Sequence, residues 1–272
     1  MTTKELMDIA LKTAGLSEMP EDCGIIVEGK KIKKVLMGVD MDTAELLLAK
    51  DLGFDCVVSH HPRNTSTEML DVLHDHYVKL EALGVPKNKS QKLLAERKDE
   101  LSYNQHVSNS RRSESAAKLL KMPFMCIHTP ADKIGEAIVQ KFLDKKLKNK
   151  TDATVDDVIK ALEEIPEYKN STRKPVTRVG AKDSFAGKVY VLMSGLTGPG
   201  AKILKEYFEA GVGTLVMMHM PEKDGKEIKE QGIGNVIIAG HMPSDSLGLN
   251  KIAKEWAKKG VETTMMSGIV EA

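Results

Sequence analysis

The strongest constraint on what this chain can fold into is an alternation. KVLMGVD (34–40), DCVVS (55–59), PFMCI (123–127), KVYVLMSG (188–195), GTLVMMH (213–219), GNVIIAG (234–240) and VETTMMS (261–267) have the length and β-branched content of buried strands. Helix-like stretches lie among them: DTAELLLAKDLG, stopped by Gly53, then Ala131 to about Leu147, AKILKEYFEAG, PEKDGKEIKEQG and SLGLNKIAKEWAKKG. Strand, helix, strand at these spacings predicts an α/β fold with largely parallel sheets. A chain of 272 residues, 41% of them hydrophobic, buries a core of one large domain or two ordinary ones.

Two intervals interrupt the pattern. Residues 66–122, including EMLDVLHDHYVKLEALG and KSQKLLAERKDELSYNQHV, are helix-forming but polar, and predict a pair of helices inserted between two strands of one sheet. Residues 148–185 hold one short helix opened by Thr154, with Asp157 in capping-box position, flanked by polar, proline-bearing sequence. A boundary here divides the chain into an N-terminal α/β lobe, 1–150, and a C-terminal α/β lobe, 151–272.

Forty basic residues against thirty-nine acidic ones leave a formal charge of +1, so no field of one sign advertises a nucleic-acid or membrane partner. The basic runs KKIKK (30–34) and KKLKNK (145–150) are short and bare of interleaved aromatics. Cys23, Cys56 and Cys126 are an odd set without close pairing, read as reduced thiols. The opening MTTKELMDIALKTAG is too polar for a signal peptide, and no apolar run is long enough for a bilayer. A soluble cytoplasmic protein is expected.

The histidines carry the chemistry. His60 and His61 follow DCVVS, His128 follows PFMCI, His219 follows TLVMM and His241 follows NVIIAG. In open parallel sheets, ligands sit beyond the carboxyl ends of the strands, where strand ends from distant parts of the chain converge. IHTPAD places Asp132 four residues after His128, and AGHMPSD places Asp245 four residues after His241. A single His-x-x-x-Asp also occurs as a helix cap or a surface pair, and Asp245 could cap the helix that follows it. The device appears twice beside an adjacent His-His pair, however. Imidazoles and carboxylates without thiolate suit zinc, manganese or iron in a two-metal centre. Asp40 and Asp42 end the first strand, where either could bond a ligating imidazole and Asp42 could instead cap a helix. His74 and His76, on the polar insertion, are expected on a solvated face. SGLTGPG (194–200) lies between strand and helix, as a tight turn or, less simply, as a phosphate cradle.

In that order, SHHP, IHTPAD and AGHMPSD resemble the motifs of the NIF-three-like family, whose members are often labelled GTP cyclohydrolase I type 2 homologues. DCGIIVEG and SGLTGPG extend the resemblance over nearly the whole chain. It implies two α/β lobes with a dinuclear metal site at the strand carboxyl ends between them, and a ring-like homo-oligomer. The implied ligands of the two divalent ions are His60, His61, Asp132, His241 and Asp245. His128 and His219 correspond to cavity-lining histidines, with His128 the candidate catalytic proton shuttle. Two departures stand out: Asp245 replaces the usual Glu, and HTPAD replaces HTNLD. The expected activity is metal-dependent hydrolysis of a small, nucleotide-like substrate. The other class of function is a metal-containing binding or regulatory protein without turnover, its partner contacted through the insertion.

Overall fold

All seven apolar runs become strands, and those at Cys56–Ser59, Phe124–Cys126 and Thr214–Met217 are buried along their whole length. The structure is a computed structural model that describes residues 1–62, 71–107, 111–195 and 198–272. Helix α1 (Thr3–Thr13), strands β1 (Gly24–Val27) and β2 (Lys34–Gly38), helix α2 (Thr43–Asp51) and strand β3 (Cys56–Ser59) come first. Helices α3 (His74–Ala82), α4 (Lys87–Val107) and α5 (Arg112–Leu120) precede strand β4 (Phe124–Cys126) and helix α6 (Thr129–Leu147). Helices α7 (Val155–Leu162) and α8 (Pro166–Asn170) lead to β5 (Val176–Val179), β6 (Val189–Leu192) and α9 (Ala201–Glu209). The chain ends with β7 (Thr214–Met217), α10 (Glu222–Gln231), β8 (Asn235–Ile238), α11 (His241–Ala257) and β9 (Glu262–Met266).

The strands form two sheets, in the orders β1-β4-β3-β2-β9 and β5-β8-β7-β6. Each has a parallel body and one antiparallel edge strand, β1 against β4 and β5 against β8. The α/β class with mainly parallel sheets in two lobes is as the alternation predicts. Neither edge strand was legible in the alternation. VTRV alternates with polar residues, and GIIV, though apolar, is only partly buried, unlike the fully buried β3, β4 and β7.

The chain does not complete one lobe before starting the other, as a single cut near residue 150 would require. One compact unit gathers Met1–Met69, Asn104–Ile134 and Asp245–Ala272; the other gathers Leu70–Tyr103 and Gly135–Ser244. The return is fixed by β9, whose Glu262–Met266 pair in parallel with Lys34–Gly38 of β2. The core of the first unit includes Leu36, Leu46, Val57, Met122 and Phe124. Capping boxes at Thr2/Glu5, Asp42/Glu45 and Thr154/Asp157 satisfy the first amides of α1, α2 and α7.

Among the described residues the insertion holds three α-helices rather than two, and they are not a solvated pair. Leu73, Tyr77, Leu80 and Leu94 join Leu192, Leu204 and Tyr207 in the core of the second unit. Their sparse apolar stripe is submerged in a polar composition. A buried ion cluster reinforces this packing. Lys79 Nζ, on α3, lies 2.7 Å from Glu136 of α6 and 2.9 Å from Asp75. It also donates to Ser194 Oγ at 2.9 Å. Helix α6 in turn covers the edge of β6: Gln140 accepts from the Val191 amide, and Glu136 from those of Met193 and Ser194. These side chains stand where another strand would otherwise add.

Lys79→Ala leaves Asp75 and Glu136 facing each other with their buried counter-ion gone. It is expected to lower stability by about 3–5 kcal/mol, the cost of breaking a buried pair from one side. Denaturant unfolding checks this; a loss below about 1 kcal/mol, as for a surface pair, contradicts it.

Candidate metal centre

Strand β3 ends at Ser59, and the backbone turns where the two adjacent histidines begin. The amides of His60 and His61 donate to the carbonyls of Gly38 and Val39, past the end of β2. Ser59 Oγ holds the same turn by donating to the Val39 carbonyl. The two imidazoles therefore do not point to opposite faces as they would on a continuing strand. Their ring centroids lie 5.2 Å apart, and His128, just beyond β4, adds a third ring 4.7 Å from His60.

All three rings are anchored through Nδ1. His60 Nδ1 donates to the Ile127 carbonyl at 3.1 Å, His61 Nδ1 meets Asp40 Oδ1 at 3.0 Å, and His128 Nδ1 meets Asp22 Oδ2 at 2.6 Å. An imidazole that donates from Nδ1 keeps the lone pair on Nε2. The Nε2 atoms turn toward two buried carboxylates, Asp132 in the first turn of α6 and Asp245 in α11. His60 Nε2 is 3.3 Å from Asp132 and 3.7 Å from Asp245; His61 Nε2 is 3.8 Å from Asp245, and His128 Nε2 is 3.6 Å from Asp132.

These separations suit a shared ion better than direct hydrogen bonds. They exceed a good N–H···O hydrogen bond, about 2.9 Å. Two donors bound to one ion at about 2.0–2.2 Å lie roughly 3–3.5 Å apart, close to what is seen. His60 Nε2 and Asp132 Oδ1 are buried and neither makes an aligned hydrogen bond among the described residues. Buried orphaned donors of this kind need an explanation, and a shared cation supplies one. The ligand atoms of His60, His61 and His128 all lie within 4.8 Å of one another, as do those of His60, Asp132 and Asp245. Imidazole nitrogens and carboxylate oxygens, without sulfur, fit a borderline divalent ion.

The electrostatics agree. Burial pushes the Asp245 carboxyl up to about 7. Burial opposes a charged His60, but the Asp245 carboxylate, with Asp132, outweighs it and raises that imidazole to about 9. The cluster thus holds a proton where a metal ion would displace it. Burial, then the His60 charge, lowers His61.

His60, His61, His128, Asp132 and Asp245 are therefore brought together. His241 opens α11, one turn before Asp245 on the same helix, with its ring 4.6 Å from that of His219. Asp245 lies inside α11 and is not its N-cap. Asp40 holds a ligating-type imidazole as anticipated, while Asp42 caps α2. Sequence reasoning assigned no role to Asp22, whose only signal was its place in DCGIIVEG. His74 is exposed, but His76 is fully buried against the Tyr207 hydroxyl, a correction to the solvated face expected for both. Its neighbours Tyr77 and Lys79 are buried too, so this polar stretch faces inward. In SGLTGPG, residues 196 and 197 lie outside the described residues. The helix after it begins against the buried carboxyl of Asp224, which accepts from the Ala201 amide and fills the place an anion would take.

No protein-family model matches the chain, and no curated protein matches it either. Among solved structures it is similar to a NIF3 superfamily protein from Sphaerobacter thermophilus. The two are 33% identical over 99% of each chain, with a TM-score of 0.93. Reduced HcgD from Methanocaldococcus jannaschii is 16% identical over 97% of each chain, with a TM-score of 0.57. TTHA1606 from Thermus thermophilus is 16% identical, covering 100% of this chain and 98% of its own, at a TM-score of 0.57. These last two share the fold.

The approach of α11 to α6 sets the distance between the carboxylates. A Cβ at Gly248 would sit 2.0 Å from the Ala131 carbonyl oxygen, one residue from Asp132. Gly248→Ala is expected to push the helices apart, costing about 1–3 kcal/mol as overpacking does. Metal affinity is expected to fall with it. Unfolding and zinc titration of one sample check both; an unchanged protein shows that the approach is not tight.

Proposed function

Because the chain belongs to the NIF3 superfamily, we propose that it is a dinuclear metal-binding protein that hydrolyses a small, nucleotide-like substrate. In this reading His60, His61, Asp132, His241 and Asp245 hold two divalent ions, zinc, iron or manganese. The observation that carries it is the set of imidazole Nε2 atoms spaced 3.3–3.8 Å from the two buried carboxylates. Bound there, such ions polarise a substrate oxygen and lower the pKa of a coordinated water toward neutrality.

The chain's own part is orientation. The Ile127 carbonyl and Asp40 fix the tautomers of His60 and His61, so no ring must rotate to present Nε2. Asp132 and Asp245 bring buried negative charge to the site. One side stays open: the His61 side chain is 24% exposed and its partner Asp40 is 55% exposed. An open side favours turnover over a sealed structural site, which closes all its coordination positions. Among the described residues, no helix is long and apolar enough to cross a membrane.

The test uses protein purified without a His-tag. Metal analysis is expected to give about two ions per chain. His61→Ala and Asp245→Ala each lose much of that metal, while His74→Ala keeps it. A screen of phosphoesters and purine nucleotides is expected to yield a hydrolysis that chelation abolishes and added metal restores. Full metal content in His61→Ala and Asp245→Ala rejects the centre. Metal without turnover leaves a binding protein.

A further inference from the structure

Of the three inward imidazoles, His128 has the most heavily built support. Asp22 Oδ2 accepts both from His128 Nδ1, at 2.6 Å, and from Thr129 Oγ1, at 2.6 Å. The other oxygen accepts from Cys23 Sγ at 3.5 Å, and that sulfur accepts the His128 amide at 3.4 Å. Asp22 is fully buried, and among the described residues His128 is its one ion-pair partner. Asp22 is thus a buried carboxylate that is paired and hydrogen-bonded, and its contacts fix the His128 ring through Nδ1.

The far nitrogen indicates which task. A proton shuttle turns its outer nitrogen toward substrate or solvent. His128 Nε2 instead faces buried Asp132 at 3.6 Å, within the spacing that His60 and His61 keep from the carboxylates. We propose that Asp22 is a positioning residue of the metal centre, holding His128 as a further Nε2 ligand beside Asp132 rather than as a proton shuttle. The inference rests on the dinuclear reading above. A carboxylate behind a ligating imidazole fixes its tautomer and raises its basicity, and losing it weakens metal binding about 10- to 100-fold.

The experiment is a double-mutant cycle on the full chain, stripped with chelator and titrated with Co²⁺, whose visible absorption reports the ligand set. Asp22→Asn keeps the shape and removes the charge. It is expected to weaken binding of one ion about 10- to 100-fold, and His128→Ala at least as much. The double variant should bind no worse than His128→Ala alone, because Asp22 acts through that ring. Asp22→Asn with wild-type affinity, or losses that add in the double variant, overturns the proposal. Should Asp22→Asn not fold, histidine ¹⁵N spectra of the wild type decide. The His128 Nε2 resonance must shift on zinc addition while Nδ1 stays protonated, and no shift overturns the proposal. His61→Ala separates the two levels. If it keeps all its metal, the dinuclear reading fails. If it loses metal while Asp22→Asn and His128→Ala do not, this inference fails alone.

Discussion

Asp132 and Asp245 place two carboxylates where water does not reach them, and their charge governs the centre. An isolated carboxylate in an apolar interior is costly enough that it takes up a proton, pairs or binds a metal. Here the His60 ring lies between them, 3.3 Å from one acid and 3.7 Å from the other. A single proton on that ring sets one positive charge against two negative ones. A divalent ion would bring more positive charge and would sit between donors 3.3–3.8 Å apart, where His60 Nε2 and Asp132 Oδ1 make no aligned hydrogen bond among the described residues. The Nδ1 anchors then follow as the means of keeping the rings from turning away. Their acceptors differ, a carbonyl behind His60, a solvent-facing acid behind His61 and a buried acid behind His128.

The fold supplies this arrangement through its parallel strands. Adjacent parallel strands β3 and β4 end at the same edge of the sheet, so His60, His61 and His128 emerge side by side although far apart in sequence. The acids arrive on the helices that follow. Asp132 comes from the first turn of α6, and Asp245 from α11, whose Gly248 allows backbone contact with Ala131. The hydrophobic strands make the sheet, and the polar groups sit at its end, where loops can be shaped without breaking the core.

Much of this was legible in the sequence because the signals were local. The buried strands are unbroken apolar runs, and His60, His61 and His128 lie directly after two of them. His-x-x-x-Asp is a one-turn spacing, so Asp132 could be read beside His128. What escaped depends on partners far along the chain. Asp22 gains its role from a ring 106 residues away, and an aspartate before a short strand advertises nothing. The edge strands β1 and β5 are weak alone and are fixed by their pairing with β4 and β8. His76 and Lys79 sit in sequence polar enough to suggest solvent, yet Tyr207, Ser194 and Glu136 receive them in the core. Composition averages over a helix and cannot show which three or four residues face inward.

The most direct test of the central claim is anomalous diffraction at the zinc edge, on crystals of untagged protein grown with zinc. A shared cation predicts a peak about 2.0–2.2 Å from His60 Nε2 and from oxygens of Asp132 and Asp245. Contraction of the His60–Asp132 separation to an ordinary hydrogen bond, with no anomalous peak between the acids, would show that a proton alone meets their charge.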